Sequence, residues 1–203
     1  MAQRAGNVLN RRVLESIVTT INPDGTVNVS PMGPIVDDAM DEVLLRPYQT
    51  STTYNNLCRT RQGVLHVTDD VELFARAAVN CLEKTPLLIR AEHVDGYILA
   101  EACRWFAFRI ESIDDSKARA EMRACVVDRG RLRDFFGFNR AKHAVIEASI
   151  LASRVGLLPR REILAELERL ASPVQKTAGE QERRAFAFLV QFIRSRLGGA
   201  KEE

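Results

Sequence analysis

The stretch from residue 15 to residue 33 reads ESIVTTINPDGTVNVSPMG, and it is the clearest structural signal in the chain. Its central letters NPDG, residues 22–25, follow the order of asparagine, proline, aspartate and glycine that suits a type I turn closed by glycine. The flanking segments are rich in β-branched residues, which favour strands. The sequence therefore predicts an antiparallel hairpin over this stretch.

Further strand-like segments follow the hairpin as far as about residue 127. They are DEVLLRPY, GVLHVT, PLLIRA, RWFAFRIESI and ARAEMRACVV. Only one helix, VELFARAAVNCL, is predicted among them, with Asp69 as its N-cap and Glu72 completing a capping box. Strands at this spacing are typical of a closed or half-closed antiparallel barrel, so we expect residues 1–135 to form a β-rich domain.

The pattern changes after about residue 135, where apolar residues recur at the spacing of amphipathic helices. The segment NRAKHAVIEASILASRVG is predicted to be a helix with Asn139 as its cap and Gly156 at its end, and Pro159 suits the first turn of the next helix, RREILAELERLA. SPVQKTAG is predicted to be a linker before a third helix, ERRAFAFLVQFIRSRL. The chain is thus expected to be an α+β protein whose helical region, residues 136–203, packs on the barrel or on a dimer partner.

Composition disfavours several classes of protein. The 203 residues are 46% hydrophobic and 28% charged, with a net charge of +2, so nothing points to nucleic acid or a membrane as a partner. No apolar run reaches the roughly 20 residues of a membrane span. The N-terminus has no signal-peptide pattern, and the four cysteines are scattered without a C-x-x-C pair. We therefore expect a cytoplasmic protein without a metal site.

A cluster of polar residues follows the DEVLLRPY segment. Arg46 precedes four hydroxyl residues, Thr50, Ser51, Thr52 and Thr53, and the next letters, YNNLCR, suit one or two helical turns. Hydroxyls, a guanidinium and free amides at a helix start are the groups that bind a phosphate. The alternative is an exposed loop whose serine and threonines only cap a helix. The chain has no Walker loop and no G-x-G-x-x-G motif, which disfavours a P-loop or a Rossmann nucleotide site.

Four segments together resemble one known family. ESIVTTINPDGTVNVSPMG, RPYQTSTTYNNL, GVLHVTDDVELFA and GFNRAKHAVIEASILASR are similar to the family called domain of unknown function 447, whose fold resembles the flavin reductases. The resemblance runs through most of the chain. It implies an FMN-binding split β-barrel with a C-terminal helical region, and a homodimer with flavins in clefts between subunits.

The resemblance also implies which residues hold the flavin. The Ser/Thr turn that binds the phosphate in such barrels corresponds to Arg46, Thr50, Ser51, Thr52 and Thr53, with Asn56 in reach of the same phosphate or of the ribityl chain. The segment that lies along the isoalloxazine ring corresponds to Ser30, Pro31, Met32 and Gly33. Gly33 is expected to let the backbone approach the ring closely, while Met32 either packs on the ring or belongs to the core.

The expected function is that of an FMN-dependent oxidoreductase of the flavin-reductase-like group, with an unknown substrate and with NADH or NADPH as a further partner. The flavin carries the hydride, so no catalytic residue is assigned. One alternative is a non-catalytic flavin carrier, which the resemblance associates with methanopterin-type one-carbon metabolism. A second alternative is a protein that binds a deazaflavin or a haem, with His66 as the axial ligand of the haem. A third is a purely structural or regulatory dimer.

Three further residues have two interpretations each. Trp105, the only tryptophan, either fills the barrel or covers the flavin ring. His143 and Glu147 lie one helical turn apart and form either a polar stripe that reaches a substrate or a solvated helix face.

Overall fold

The computed structural model describes residues 12–199, which divide into two compact units. The described part of the first unit spans residues 12–68 and 86–134, and that of the second spans residues 69–85 and 135–199. The N-terminal stretch in which we expect no signal peptide lies largely outside the described residues. None of the helices in the described part of the chain has the length and apolar character needed to cross a membrane.

The described residues of the first unit form ten strands and one helix. The strands are β1 (Arg12–Val13), β2 (Ser16–Ile21), β3 (Val27–Met32), β4 (Ile35–Val36), β5 (Glu42–Leu45), β6 (Gln62–Val67), β7 (Leu88–Arg90), β8 (Tyr97–Leu99), β9 (Arg104–Asp114) and β10 (Glu121–Arg131), and the helix is α1 (Thr52–Thr60). Eight of these strands form one antiparallel sheet in the order β1-β4-β5-β10-β9-β6-β2-β3, which curls into a half-barrel. Strands β7 and β8 pair separately.

The predicted hairpin is confirmed as β2 and β3, which pair from Ser16 opposite Met32 to Ile21 opposite Val27. The amide of Gly25 donates to the carbonyl of Asn22 at 3.0 Å, and Gly25 has a φ of 83°, which a residue with a side chain rarely adopts. Strand β3 lies at the edge of the sheet. Pro31 is accommodated there because an edge strand has one side that needs no ladder donor.

The main core of the first unit lies on one face of the half-barrel. It is built from strand residues and from one residue of α1, namely Val18, Val36, Val43, Leu45, Leu57, Leu65, Phe106, Phe108, Ile110, Met122 and Ala124. Because side chains alternate along a strand, Val64 and Ala107 lie on the opposite face, in a smaller cluster with Ala91, Val94 and Ile98. The sheet is thus covered on both faces along β6 and β9.

The described residues of the second unit form four helices, α2 (Val71–Ala78), α3 (Arg140–Ala152), α4 (Arg160–Thr177) and α5 (Glu180–Gly199). Ala144, Ile163 and Leu189 are among the fully buried residues of their shared core. Helix α2 belongs to this core, although its sequence lies between strands of the first unit. The prediction of an α+β protein with C-terminal helices is confirmed.

Two details of the helices differ from the sequence-based expectation. The N-cap of α2 is Asp70 rather than Asp69, since the Asp70 carboxylate accepts from the amides of Glu72 and Leu73 at 3.1 and 3.0 Å. The segment SPVQKTAG is not a linker, because α4 continues through Pro173 to Thr177. Burial of Val174 offsets the hydrogen bond that proline removes. The predicted Asn139 cap of α3 is confirmed by hydrogen bonds from the amides of Ala141 and Lys142.

Candidate functional site

The polar cluster after β5 forms a turn that leads into α1. Ser51 is the N-cap of the helix, and its hydroxyl accepts a hydrogen bond from the amide of Tyr54 at 3.2 Å. Within the described residues, no protein group accepts a hydrogen bond from the amides of Thr52 and Thr53. The first turn of α1 therefore presents two free donors at the positive end of the helix dipole.

The turn before α1 is fixed by the loop between β9 and β10. The Gln49 side chain donates to the carbonyls of Asp115 and Lys117, both at 2.7 Å. The guanidinium of Arg119 lies 4.2 Å above the ring of Tyr48. These contacts attach the turn to that loop. Thr50 and Thr52 themselves are exposed on the surface.

Tyr54 in the first turn of α1 adds a neutral group to the site. Its hydroxyl donates to the carboxylate of Asp115 at 3.1 Å. A hydrogen bond with the Cys58 side chain, together with burial and the nearby Asp115, raises the pKa of Tyr54 to about 12. The phenol therefore stays protonated at physiological pH and brings no negative charge close to the helix start.

Arg46 lies directly after β5 and five residues before the Ser51 cap. Its Nε atom is buried and has no hydrogen-bond partner, and it is the one such side-chain nitrogen or oxygen in the described part of the chain. A buried guanidinium nitrogen without a partner lowers stability, because its hydration is lost and not replaced. A buried nitrogen of this kind suits an acceptor from outside the chain, and Arg46 is close in sequence to the free amides of α1.

Ser30, Pro31 and Met32 form the end of edge strand β3. The Ser30 hydroxyl makes only a long contact of 3.5 Å with the Pro31 carbonyl, so it remains available to another partner. Met32 is half-buried against the main core, and its carbonyl accepts from the Ser16 hydroxyl at 2.7 Å. Met32 is therefore at least partly a core residue.

Gly33 allows a close approach, but the neighbour in the structure is a residue of this chain. A Cβ atom at this position would lie 3.0 Å from the Cγ1 atom of Val13. The space that the glycine leaves is therefore filled by strand β1. A contact between Gly33 and a flavin ring stays a prediction.

The strand end and the helix start are connected by hydrogen bonds from Asn28, which the sequence did not single out. The Asn28 amide on β3 donates to the hydroxyls of Thr20 and Thr53, at 3.2 and 3.1 Å. Since alternate residues share a strand face, Ser30 and Met32 lie on the same face as Asn28. The face that carries the predicted ring segment is therefore the one on which the first turn of α1 sits.

Asn56 is part of the same group of hydrogen bonds. Its amide nitrogen donates to Thr20 Oγ1 at 3.0 Å and to Asn22 Oδ1 at 2.8 Å, and the residue is 2% exposed. Both amide hydrogens are thus used inside the protein. A contact between Asn56 and a ligand stays a prediction, and it would have to use the carbonyl oxygen of the side chain.

His66, the histidine considered as a haem ligand, is fully buried on β6. Its Nε2 accepts from the amide of Leu99 at 3.0 Å, so its Nδ1 carries the proton and faces the Ile17 carbonyl at 3.2 Å. Burial lowers the pKa of His66 to about 4. A neutral imidazole with both nitrogens engaged has no free atom for an iron, which argues against the haem alternative.

The arrangement of His143 and Glu147 favours a solvated helix face over a stripe that reaches a substrate. His143 lies on the surface of α3, with its side chain 73% exposed and 3.8 Å from Glu147, as expected for a solvated helix face. In the described part of the chain no group of three or more His, Cys, Asp or Glu side chains could hold a metal ion.

Trp105 on β9 packs across the neighbouring strand. It pairs with Gly130 of β10 and is partly buried against the smaller cluster of the first unit. A Cβ atom at Gly130 would lie only 2.6 Å from Nε1 of the indole. Glycine is therefore required for the indole to lie over the strand, which favours the packing interpretation of Trp105.

Replacing Gly130 with alanine should force the indole to move. We expect the free energy of unfolding to fall by about 1–3 kcal/mol, the usual effect of overpacking. Urea denaturation followed by tryptophan fluorescence would measure the change, because Trp105 is the only tryptophan. Gly198→Ala is the control for an added methyl group without crowding, since a Cβ atom there would meet nothing within 4 Å, and as a substitution within α5 it should not lower stability. Equal stability of the Gly130 variant and the wild type would show that the indole is not held over the strand.

Two models of one family match the sequence. "Protein of unknown function (DUF447) N-terminal domain" matches residues 14–133, and "Protein of unknown function (DUF447)" matches residues 139–191. No curated protein matches the sequence.

Several solved structures are similar to the chain. An FMN-bound DUF447 protein from Methanosarcina mazei is 19% identical, covers 90% of this chain and 96% of its own, and superposes with a TM-score of 0.77. The flavin reductase of styrene monooxygenase from Pseudomonas putida S12 is 12% identical over 60% of this chain and 79% of its own, with a TM-score of 0.47. Nitrilotriacetate monooxygenase component B from Bacillus cereus is 16% identical over 61% and 71%, with a TM-score of 0.49. The first of these comparisons shows a shared fold.

Proposed function

The chain belongs to the DUF447 family, and from this premise we propose that it is a flavoprotein that binds FMN through the turn before α1 and the end of β3. In this proposal the phosphate lies at Arg46 and the first turn of α1, and the ring lies beside residues 30–33. The FMN-bound relative from Methanosarcina mazei, which has the same fold, supports the choice of ligand.

The observation that carries the proposal is the buried, unpartnered Nε of Arg46. A phosphate would supply the acceptor that this nitrogen lacks, and the free amides of Thr52 and Thr53 would donate to the same group. The exposed hydroxyls of Thr50 and Thr52 would complete the phosphate contacts. A doubly charged phosphomonoester suits this set because the set combines a guanidinium with amides at the positive end of a helix.

The remaining proposed contacts are those of the ring. The Ser30 hydroxyl is free to donate, and the outer edge of β3 offers backbone groups that no strand in the described residues pairs with. The side chains of Thr53 and Asn56 are used within the protein, so their role in the proposal is to hold the helix start in place.

We further propose that the protein is a cytoplasmic, homodimeric oxidoreductase of the flavin-reductase-like type, with NADH or NADPH as a partner and a substrate still to be identified. When bound, FMN supplies hydride or electron transfer, and the residues of this chain orient it and shield it from water. The four cysteines, all free in the structure, agree with a reducing compartment. A flavin carrier that transfers no hydride is the second candidate.

The first test is the absorption spectrum of the freshly purified protein, with mass spectrometry of the released ligand. We expect flavin bands and the mass of FMN. In fluorescence titrations, riboflavin, which lacks the phosphate, should bind at least about tenfold more weakly than FMN, because charge-assisted hydrogen bonds are lost. Equal affinities for the two flavins would contradict the proposed phosphate site. Bound FMN without oxidation of NADH or NADPH would favour the carrier.

A further inference from the structure

A small polar cluster, which we call the threonine–asparagine hub, connects β2, β3 and α1. It consists of Thr20, Asn22, Asn28, Thr53 and Asn56. Thr20 Oγ1 is its centre, because it accepts from the amides of both Asn28 and Asn56, at 3.2 and 3.0 Å. Thr20, Thr53 and Asn56 are each about 2% exposed. The hub is therefore an inner feature of the first unit and does not belong to its solvated surface.

Attachment of α1 to the sheet does not require this hub. Leu57, one turn after Thr53, is fully buried in the main core and already fixes the helix to the sheet. Apolar residues of similar shape at Thr20 and Thr53 would bury as well without the need for partners. Hydrogen bonds differ from apolar contacts in that they define distance and direction. The hub is thus suited to setting the position of α1 rather than only holding it.

The elements that the hub connects are the two that carry the proposed flavin contacts. Thr53 lies in the first turn of α1, two residues after the Ser51 cap. Asn28 lies two residues before Ser30 on the same face of β3, a separation of roughly 7 Å along a strand. The hydrogen bond between Asn28 and Thr53 consequently spans the gap between the phosphate end and the ring end of the site.

We infer that Asn28 is a positioning residue for flavin binding, which sets the distance between the phosphate turn and the ring-facing strand through Thr20 and Thr53. The inference rests on the proposed function. Asn28 touches neither end of the flavin in this scheme. Its effect is to let one ligand bind at both ends of the site at once, so that the phosphate adds to the affinity of the ring.

The test compares two ligands in the same variant. In Asn28→Ala, FMN should bind about tenfold more weakly, whereas riboflavin, which uses only the ring end, should bind with nearly the affinity that it has for the wild type. The readout is the dissociation constant of riboflavin divided by that of FMN, because general destabilisation would weaken the binding of both ligands together. Asn55→Ala, at an exposed asparagine of the same helix, is the matched control and should leave the ratio unchanged.

A second variant guards against loss of the fold. Thr20→Val removes the shared acceptor and keeps the branched shape. Like Asn28→Ala, it should weaken the binding of FMN more than that of riboflavin and so lower the ratio. A double-mutant cycle of Asn28→Ala with Arg46→Ala should be non-additive, because the hub has little left to position once the phosphate contact is lost. Parallel loss of FMN and riboflavin affinity in both hub variants, or no loss in either, would overturn the inference.

The outcomes also separate this inference from the proposed function. If the wild type binds FMN more tightly than riboflavin and Arg46→Ala abolishes this difference, the phosphate site is supported. Hub variants with an unchanged ratio would then refute the positioning role alone. If the wild type does not distinguish the two flavins, the phosphate site is refuted and the positioning role falls with it.

Discussion

Arg46→Ala is expected to weaken FMN binding by roughly 10- to 100-fold, the equivalent of one lost charge-assisted hydrogen bond of about 1.5–3 kcal/mol. The buried Nε of Arg46 has no partner in the protein, so FMN would be the group that pairs it. The dissociation constant should be measured by flavin fluorescence at fixed ionic strength, because the contact is between charges. Riboflavin affinity should change little in the same variant.

The same substitution should not destabilise the ligand-free protein. Removing a buried nitrogen that lacks an acceptor relieves an unfavourable contact, so the unfolding temperature of the ligand-free variant should equal or exceed that of the wild type. Arg123→Ala is the matched control, because Arg123 is an exposed arginine of the same sheet and should affect neither property. A variant that unfolds early but binds FMN normally would show that Arg46 has a structural role.

The second large effect concerns pH. Burial lowers the pKa of His66 to about 4 in the folded protein, against 6.5 for an ordinary histidine. Above pH 6.5 the imidazole is neutral in both states, and its contribution to stability is fully present. As the pH falls from 6.5 toward 4, the unfolded chain takes up a proton that the folded protein refuses, so stability is lost. The loss over this whole range is about 3 kcal/mol.

Urea denaturation at pH 7.5 and pH 5 would measure this contribution. His66→Gln keeps an acceptor for the Leu99 amide and removes the titration, so its stability should fall by about 2 kcal/mol less than that of the wild type between the two pH values. His143→Gln removes an exposed histidine and should follow the wild-type curve. If wild type and His66→Gln lost equal stability, His66 would not be a neutral buried group.

Local chemistry made parts of the fold predictable. The NPDG turn and the Asn139 cap depend on residues within a few positions of each other, and both appear in the structure as expected. Strands β1, β4 and β8 have only two or three residues each, which is too short for a period of two to be visible. Pro173 lies within SPVQKTAG, the segment predicted to be a linker. Proline usually ends a helix, but α4 continues past it to Thr177 with Val174 buried.

The sequence was enough to predict which residues belong to the candidate site, but not the hydrogen bonds and burial that relate them. A guanidinium followed by four hydroxyls suits a phosphate, so Arg46 and its neighbours could be singled out from sequence. The buried state of the Arg46 Nε depends on the folded surroundings and has no sequence signal. The hydrogen bonds of Thr20 join residues 8 and 36 positions apart, so they become visible only when strand register is known.

The interleaving of the two units has a consequence for shortened versions of the gene. A chain that stops after residue 134 would still encode α2, whose Val71 and Ala75 bury themselves against residues 141 and beyond. Such a fragment would expose an apolar helix between β6 and β7 and would be prone to aggregate. Expression of the sheet alone would therefore need residues 69–85 replaced by a short polar connection. During synthesis, the apolar face of α2 likewise stays uncovered until the last third of the polypeptide, which contains α3, α4 and α5, has been made.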